Sequence, residues 1–591
     1  MNNPFPRLSL GLPKIRAGLA SALGRFPWVL LCGLAGTLAS IESLREDTKN
    51  LNLCGKIAMT AALGMPLFFS LRIVRERIGD LTRAPLEIVG LPVLAGWFFS
   101  LPRVMHDGPG IVYIRWGLLL AALHFAAAVS AYLRQVPGDG FWQFNRRIFL
   151  RFCLATLYTC VLTIGLELAL LSADKLFELK LEKSYLDLFY IMIGCFHPAF
   201  FLAGVPRDFA ELEVDSEYPR GLKAFTQFVL APLVAAYTAI LYAYALKIVI
   251  ARTWPHGWVA LPVLILSGVG ILSALLLHPL RTRHEQKWAV WFCRNFPRAL
   301  APLALLLLLS LWQRIDDYGV TEERYLGLVS GAWIFAWATI FIFKKEAGIR
   351  WIPASLAVIC LLTAFGPWSA GAVSKESQLR RLTHLLEAHN LMADGKILVP
   401  ATRARLPSKD YEDIQSTIRY LITTHGGETI RGLFGGLVKE TDWTESNRWY
   451  LADKILGSLD LVSESGTGSV PFWHNLDPAE GVTVEGFKRV SLFEALTDGG
   501  GGRTAGPISI QIKNGALEVV TVQNAPPQPV PLDALLESLE DNSRDLPPER
   551  MTVDWQRDGQ SFRIIFTHIT IRHIPGQPAR LENCSLLFLE K

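Results

Sequence analysis

Runs of residues with no Asp, Glu, Lys or Arg, such as 259–277 and 301–312, constrain this chain more than any other feature. A chain segment in lipid has no water to bond its N–H and C=O groups, so it spans as a helix or a closed barrel. A spanning helix takes about 20 mostly apolar residues. Eleven stretches approach that length, centred on 26–42, 51–73, 86–102, 111–133, 148–172, 185–204, 223–249, 258–278, 296–313, 324–343 and 351–371. The segment 283–298 mixes charge with Trp288, Trp291 and Phe292 and reads as an interfacial helix ahead of the ninth stretch.

The apolar residues are unevenly spread. The whole is 51% hydrophobic and 19% charged, yet beyond Ser374 the composition is that of an ordinary globular protein. The expected fold is therefore an α-helical polytopic membrane domain of about 11 transmembrane helices followed by a soluble α+β domain. Its parts are a tail at 1–25, a multi-pass domain at 26–373, a helical region at 374–457 and a mainly-β module at 458–591. Leu379, Leu382, Leu385 and Leu386 form one apolar face, and Ile414, Ile418, Leu421 and Ile422 repeat the spacing. Ser408 marks a helix start, and Thr424–His425–Gly426–Gly427 a helix stop. After 458 the period becomes two: 508–512 and 517–522 flank Asn514–Gly515 as a hairpin, and 562–574 and 585–589 read as strands.

Charge and cysteine usage exclude more than they propose. The net charge of +5 comes without a dense basic block, so no nucleic-acid partner is indicated. Seven of the eight cysteines lie in or beside apolar stretches, and Cys584 stands alone in the soluble part. No Cys/His spacing suggests a metal, and no motif suggests a cofactor. Residues 1–25, with Arg7, Lys14, Arg16 and Arg25, precede an apolar run without a small-residue cleavage site, which reads as an uncleaved signal anchor. With a cytoplasmic N-terminus, the inner connections carry twenty-three Lys and Arg and the outer ones eleven. That bias orients the chain and puts the C-terminal domain outside the cytoplasm.

His568 and His573 fall on opposite faces of a strand and cannot share one ion. His384, Glu387 and His389 are no better spaced and read as solvated surface. Ionisable residues inside apolar stretches carry more weight, because their cost in lipid is met by a cavity or a partner. They are Lys56, His124, Glu167, His197 and Lys247, with Glu167 the deepest. Glu167 is a proton-relay candidate; the plainer reading pairs it with Lys56, while Lys56 and Lys247 can also snorkel to an interface.

Two connections are more polar than a tight turn requires. The sixth-to-seventh carries Asp208, Glu211, Glu213, Asp215 and Glu217 and leads into Tyr218, Arg220 and Lys223. The ninth-to-tenth holds Arg314, Asp316, Asp317, Tyr318, Glu322 and Arg324. Thr321 can cap the tenth helix, with Glu322 and Glu323 favoured by its dipole. Arg314, Asp316, Asp317, Tyr318, Glu322 and Arg324, with Tyr218, Arg220, Lys223 and Glu167, form the candidate site.

The segments YPRGLKAFTQFVLAPLVAAYTAILYAYALKI at 218–248, RIDDYGVTEERY at 314–325 and FGPWS at 365–369 resemble a bacterial inner-membrane family, the domain of unknown function 4153. The likeness runs from about the fifth stretch to His425–Gly426. It implies a multi-pass protein of a Gram-negative inner membrane, and it supplies no activity and no catalytic residues.

Three functions compete. The first is a transporter or carrier, although no inverted repeat is visible. The second is a membrane enzyme acting on a lipid-linked substrate at the outer face, with Glu42, Glu46, Asp47, Asp316 and Asp317 as base or metal ligands. The third is an envelope scaffold or sensor whose periplasmic domain binds a partner. The expected partners are the bilayer and an envelope protein or lipid-linked molecule.

Overall fold

The computed structural model describes residues 11–45, 48–78, 86–103, 105, 108–133, 139–179, 181–214, 218–251, 259–280, 287–344, 348–393, 395–398, 404–438, 443, 448–459, 461–463, 472–476, 482, 484, 486–500, 502–505, 508–521, 528–539, 545–557, 560–572 and 579–591. Glu46, Asp47, Asp215, Glu217 and His573 lie outside the described residues, as do Arg7, Arg83, Arg134, Lys180, Arg252, Arg281, Arg283 and Lys345 of the charge bias. Two compact units form: Met1–Thr383 with Arg419–Gly432 and Lys439–Leu451, and His384–Ile418 with Leu433–Val438 and Ala452–Lys591.

Among the described residues of the first unit, seven helices are long and apolar enough to cross a membrane: Asn52–Ile78, Gly110–Ser130, Gly140–Phe177, Lys183–Leu202, Arg220–Ala251, Lys287–Tyr318 and Glu322–Phe343. Ala17–Arg25 and Pro27–Ser43 meet at a 97° bend and count as an eighth if taken together. Pro27 sits at the start of the second member, where its missing N–H costs nothing. The remaining expected stretches fall on Glu87–Ser100, Ala260–Leu276 and Trp351–Ala364. At 14, 17 and 14 residues they measure about 21–26 Å, short of a hydrocarbon core of about 30 Å.

The separate interfacial helix expected at 283–298 is corrected. Lys287–Tyr318 is one 32-residue helix that runs through Pro297 and Pro302. Phe292, Phe296, Leu300, Leu303, Leu307 and Leu311 form a continuous buried stripe along it, and this packing holds the helix together across its prolines.

Small residues let helices approach closely, the usual basis of packing where lipid is as apolar as the interface. Gly33 and Gly194 cross so tightly that a Cβ on either would overlap the other helix, at the Gly194 carbonyl or the Thr37 hydroxyl. Gly327 and Gly331 face Leu311 and Leu307 across the pair Lys287–Tyr318 and Glu322–Phe343.

Ion pairs gather at one end of this unit. Arg25 bonds Glu76 at 2.7 Å and the carbonyls of Val205 and Pro206, while Arg72 and Arg75 hold the buried Glu87. The acidic connection belongs to this network: Glu213 meets Arg77 at 2.7 Å, Glu211 meets Arg147 at 2.9 Å, and Asp208 accepts the N–H groups of Ala210 and Glu211. Gly110–Ser130, about 30 Å long, ends at this network, where Arg77 donates to the Ala131 carbonyl. Its other end meets the turn before Gly426.

The second unit holds the sheets. A four-stranded sheet runs Gln528–Pro529, Ala516–Thr521, Ile508–Lys513, Arg503–Ala505. The expected hairpin forms there: Lys513 pairs with Ala516, and Asn514 and Gly515 have φ of 54° and 79°, as a type I′ turn demands. The second sheet orders Asp545–Leu546, Phe472–Leu476, Gln560–Arg572, Arg580–Glu590 and Arg489–Thr497, with Thr552–Arg557 also on Gln560–Arg572. Phe562, Ile564 and Phe566 point into the core; a bulge before His568 then shifts the phase, so that Ile569 and Ile571 continue it. Cys584 is fully buried beside them.

Candidate functional site

The site forms because a helix ends and the next begins within three residues. Lys287–Tyr318 extends through Arg314, Asp316, Asp317 and Tyr318, so the expected ninth-to-tenth loop is corrected to Gly319, Val320 and Thr321 alone. Gly319 stops the helix at φ 71°, its N–H on the Ile315 carbonyl, and a Cβ there would lie 2.8 Å from Gln378 Nε2. The freed carbonyls of Tyr318, Gly319 and Val320 find donors. Arg324 bonds the first two, and Gln378 Nε2 bonds the first and third at 3.0 Å each. Ser377 accepts the Val320 N–H.

Thr321 occupies the cap position of Glu322–Phe343, but its side chain makes no capping bond, which corrects that expectation. The polar focus is the next residue. Glu322 begins the helix, where the dipole favours a carboxylate, and its side chain is only 4% exposed. Ser374 Oγ donates to Oε1 at 2.5 Å, Tyr420 OH donates to Oε2 at 2.5 Å, and His425 Nε2 lies 3.1 Å from Oε1. An ionised carboxylate is acceptor-only, and three groups able to donate converge on this one.

Each donor has a local cause. Ser374 and Gln378 stand one turn apart on Ala370–Ala388, on the face turned to Gly319–Glu322. Tyr420 and His425 flank a π-helical turn, Leu421–His425, which ends at Gly426. Gly426 has φ 89° and ψ 154°, a region essentially reserved for glycine, and this turns the chain so that the imidazole meets the carboxylate. The His425 side chain is also only 4% exposed. The Tyr420 phenol is pushed well above its usual range, first by burial and then by the Glu322 carboxylate it bonds.

The carboxylate, imidazole and phenol can each give or take a proton, but they are not placed to activate a nucleophile. In a Ser–His–acid relay the acid holds one ring nitrogen and the serine meets the other. Here Ser374, at 3.4 Å, and Glu322 both face Nε2 of His425.

Of the expected residues, Tyr318, Glu322 and Arg324 meet around this turn, with the Arg324 and Arg381 guanidinium groups 5.5 and 5.8 Å from the centre of the Tyr318 ring. Arg314 is half-buried on the same helix end, and Asp316 and Asp317 are exposed there. The others serve elsewhere. Tyr218 stacks on Trp142 and donates to the Leu276 carbonyl, covering a different helix end; Arg220 is exposed and Lys223 half-buried. Glu167 is half-buried on Gly140–Phe177. Its suggested pairing with Lys56 is not formed: Lys56 donates to the Leu101 carbonyl at 3.1 Å, a helix C-terminus that attracts a cation. His124 bonds its own helix at Leu120, His197 meets Thr156, and Lys247 is exposed. His389 pairs with Asp410 at 3.0 Å, and His568 with Thr570 at 3.0 Å. Among the described residues no three His, Cys, Asp or Glu side chains converge as metal ligands. Ser374, Tyr420 and His425 were not anticipated as site residues; a histidine followed by two glycines was the one visible signal.

These features define a class: a helical protein with candidate membrane-spanning helices and a sheet-containing C-terminal region. The chain belongs to the family described as Domain of unknown function (DUF4153), which matches residues 29–393. The match thus begins at the first apolar stretch and contains Glu322 and Ser374, while Tyr420 and His425 follow it. An uncharacterised protein of Pasteurella multocida (strain Pm70) is 26% identical over 349 residues, covering 56% of this chain and 55% of the relative. The chain therefore spans about half the length of that curated relative. No solved structure matches.

Proposed function

We propose that this protein is an eleven-span carrier or transporter of a bacterial inner membrane, and that proton exchange at Glu322 is linked to its working cycle. The observation that carries the reading is the buried Glu322 carboxylate with an imidazole and a phenol on it at the mouth of a span. Protonating Glu322 removes its charge and weakens three bonds at once, releasing the 419–432 turn from the helix end. A charge buried at the end of a span is expensive and marks ion or proton pathways by default. Glu167, half-buried within another span, is a second station for the same proton.

Eleven spans follow if the bent pair counts once and the three shorter apolar helices each cross, with local thinning of the bilayer. The N-terminus is then cytoplasmic, on the arginine-rich side, and Glu322 and the C-terminal region lie on the periplasmic side. Reporter fusions after Ile78 and after Phe343 test the orientation; both are expected on the cytoplasmic side, and a periplasmic result at either removes it.

Proton flux into proteoliposomes tests the activity, with wild type compared with Glu322→Gln and Glu167→Gln. Flux that falls at least tenfold in either variant supports the reading, and flux equal in all three sinks it. The enzyme reading keeps one support, the exposed pair Asp316 and Asp317 on the last turn of a span.

A further inference from the structure

Lys287–Tyr318 is longer than a membrane is thick. Its 32 residues measure about 48 Å, against about 30 Å of hydrocarbon. The surplus of about 18 Å corresponds to about 12 residues. The sequence places that surplus at both ends of the uncharged run 299–313, with Lys287, Arg294 and Arg298 in the turns before it and Arg314, Asp316 and Asp317 after it. The turns before the run therefore sit at headgroup level.

They also form a concavity. Lys287, Val290, Trp291, Arg294, Asn295 and Arg298 line a cavity of about 600 Å³, and among these described residues three are cations and none is acidic. The opposite face of the same turns is packed: Ala289, Phe292 and Phe296 are buried in the helix bundle, so the cationic face is held in place. Trp291 is 65% exposed beside the cations, and an exposed indole at this depth is a membrane-interface anchor. Arg298 donates to the Arg294 carbonyl and Asn295 to the Trp291 carbonyl, bonds that each leave further N–H donors for a ligand.

We propose that this concavity binds the phosphate-bearing headgroup of an anionic phospholipid. An aqueous anion would gain from the cations alone. A lipid gains also from Val290 and Trp291, and it meets the site at the level where its headgroup already lies. The proposal needs only that Lys287–Tyr318 spans the membrane, and it is independent of the proton-exchange reading.

Native mass spectrometry of the full-length protein in detergent tests it, with phosphatidylglycerol or phosphatidylcholine titrated in. Wild type is expected to retain phosphatidylglycerol preferentially. Each basic residue near a membrane surface is worth about fivefold in affinity, so Lys287→Gln/Arg294→Gln/Arg298→Gln together lose up to about 100-fold. Should that variant not fold, exposed Arg294→Gln alone gives the reading, with a loss of about fivefold and Arg294→Lys retaining most of the binding. Equal retention of the two lipids by wild type, or a preference unchanged in the variants, overturns the proposal. Displacement of phosphatidylglycerol by millimolar inorganic phosphate overturns the lipid as the occupant and leaves a free-anion site.

Discussion

The hydroxyl of Tyr420 lies 2.5 Å from Oε2 of Glu322, a residue 98 positions earlier in the chain. This bond and its neighbours join a helix start to a turn far along the sequence, and their removal has measurable consequences.

Glu322→Ala is expected to destabilise the protein by about 3 kcal/mol, because it removes the buried acceptor shared by Tyr420, Ser374 and His425 and leaves them only the longer contacts of 3.3–3.4 Å to one another and to the Gly371 carbonyl. Tyr420→Phe removes one donor while the carboxylate keeps two, and costs about 1–2 kcal/mol. Thermal unfolding in detergent orders them. A larger loss in Tyr420→Phe than in Glu322→Ala contradicts the geometry.

Alkaline pH should act through Tyr420. Its folded pKa is raised, so the folded state favours the neutral phenol; the stability this contributes is present below the unfolded value of about 10 and lost as pH rises through the folded one. Melting temperatures measured from pH 8 to 11 should fall faster in wild type than in Tyr420→Phe above about pH 10. Parallel curves exclude the phenol.

Gly426→Ala places a side chain on a backbone at φ 89° and ψ 154°, at a cost of about 1–3 kcal/mol of strain. The space itself is open, with Pro109 Cγ at 3.7 Å, so the loss is conformational. Gly432→Ala, where nothing lies within 4 Å of the new Cβ and the backbone is helical, is the control and is expected to hold or slightly raise the melting temperature, since alanine favours a helix by up to about 1 kcal/mol.

Cysteine chemistry should separate lipid from protein interior. Cys153 and Cys160 are exposed on Gly140–Phe177, so in membranes a hydrophobic maleimide labels them and a charged one does not. Cys584 is fully buried and its thiol is pushed up to about 12 by that burial, so it reacts only after unfolding. Mass shifts after trypsin digestion read all three, and labelling of Cys160 by the charged reagent counts against a span there.

Helices were legible because lipid imposes one rule, a long uncharged run, and that rule is written residue by residue. Asn514–Gly515 was equally plain, since few dipeptides tolerate two positive φ values. Glu322 stood in a segment already singled out, but its partners did not. Ser374 marked a change of composition, and Tyr420 lay on an amphipathic helix; neither carries a local sign that it faces a carboxylate. The helical reach through Arg314–Tyr318 was missed for a related reason: two aspartates look like a loop, while Arg324 and Gln378, which cap that helix end from outside, are seen only in three dimensions.

The 98 residues between Glu322 and Tyr420 also set an order of events during synthesis. A ribosome adding about 5–20 residues per second needs roughly 5–20 s to cover that distance. The span that begins at Glu322 is made, and its carboxylate reaches the membrane boundary, before the phenol and imidazole that will hold it exist. For that interval the group stays hydrated or keeps a proton. Closing of the 419–432 turn is thus a late step of assembly, one that dries a site first built wet.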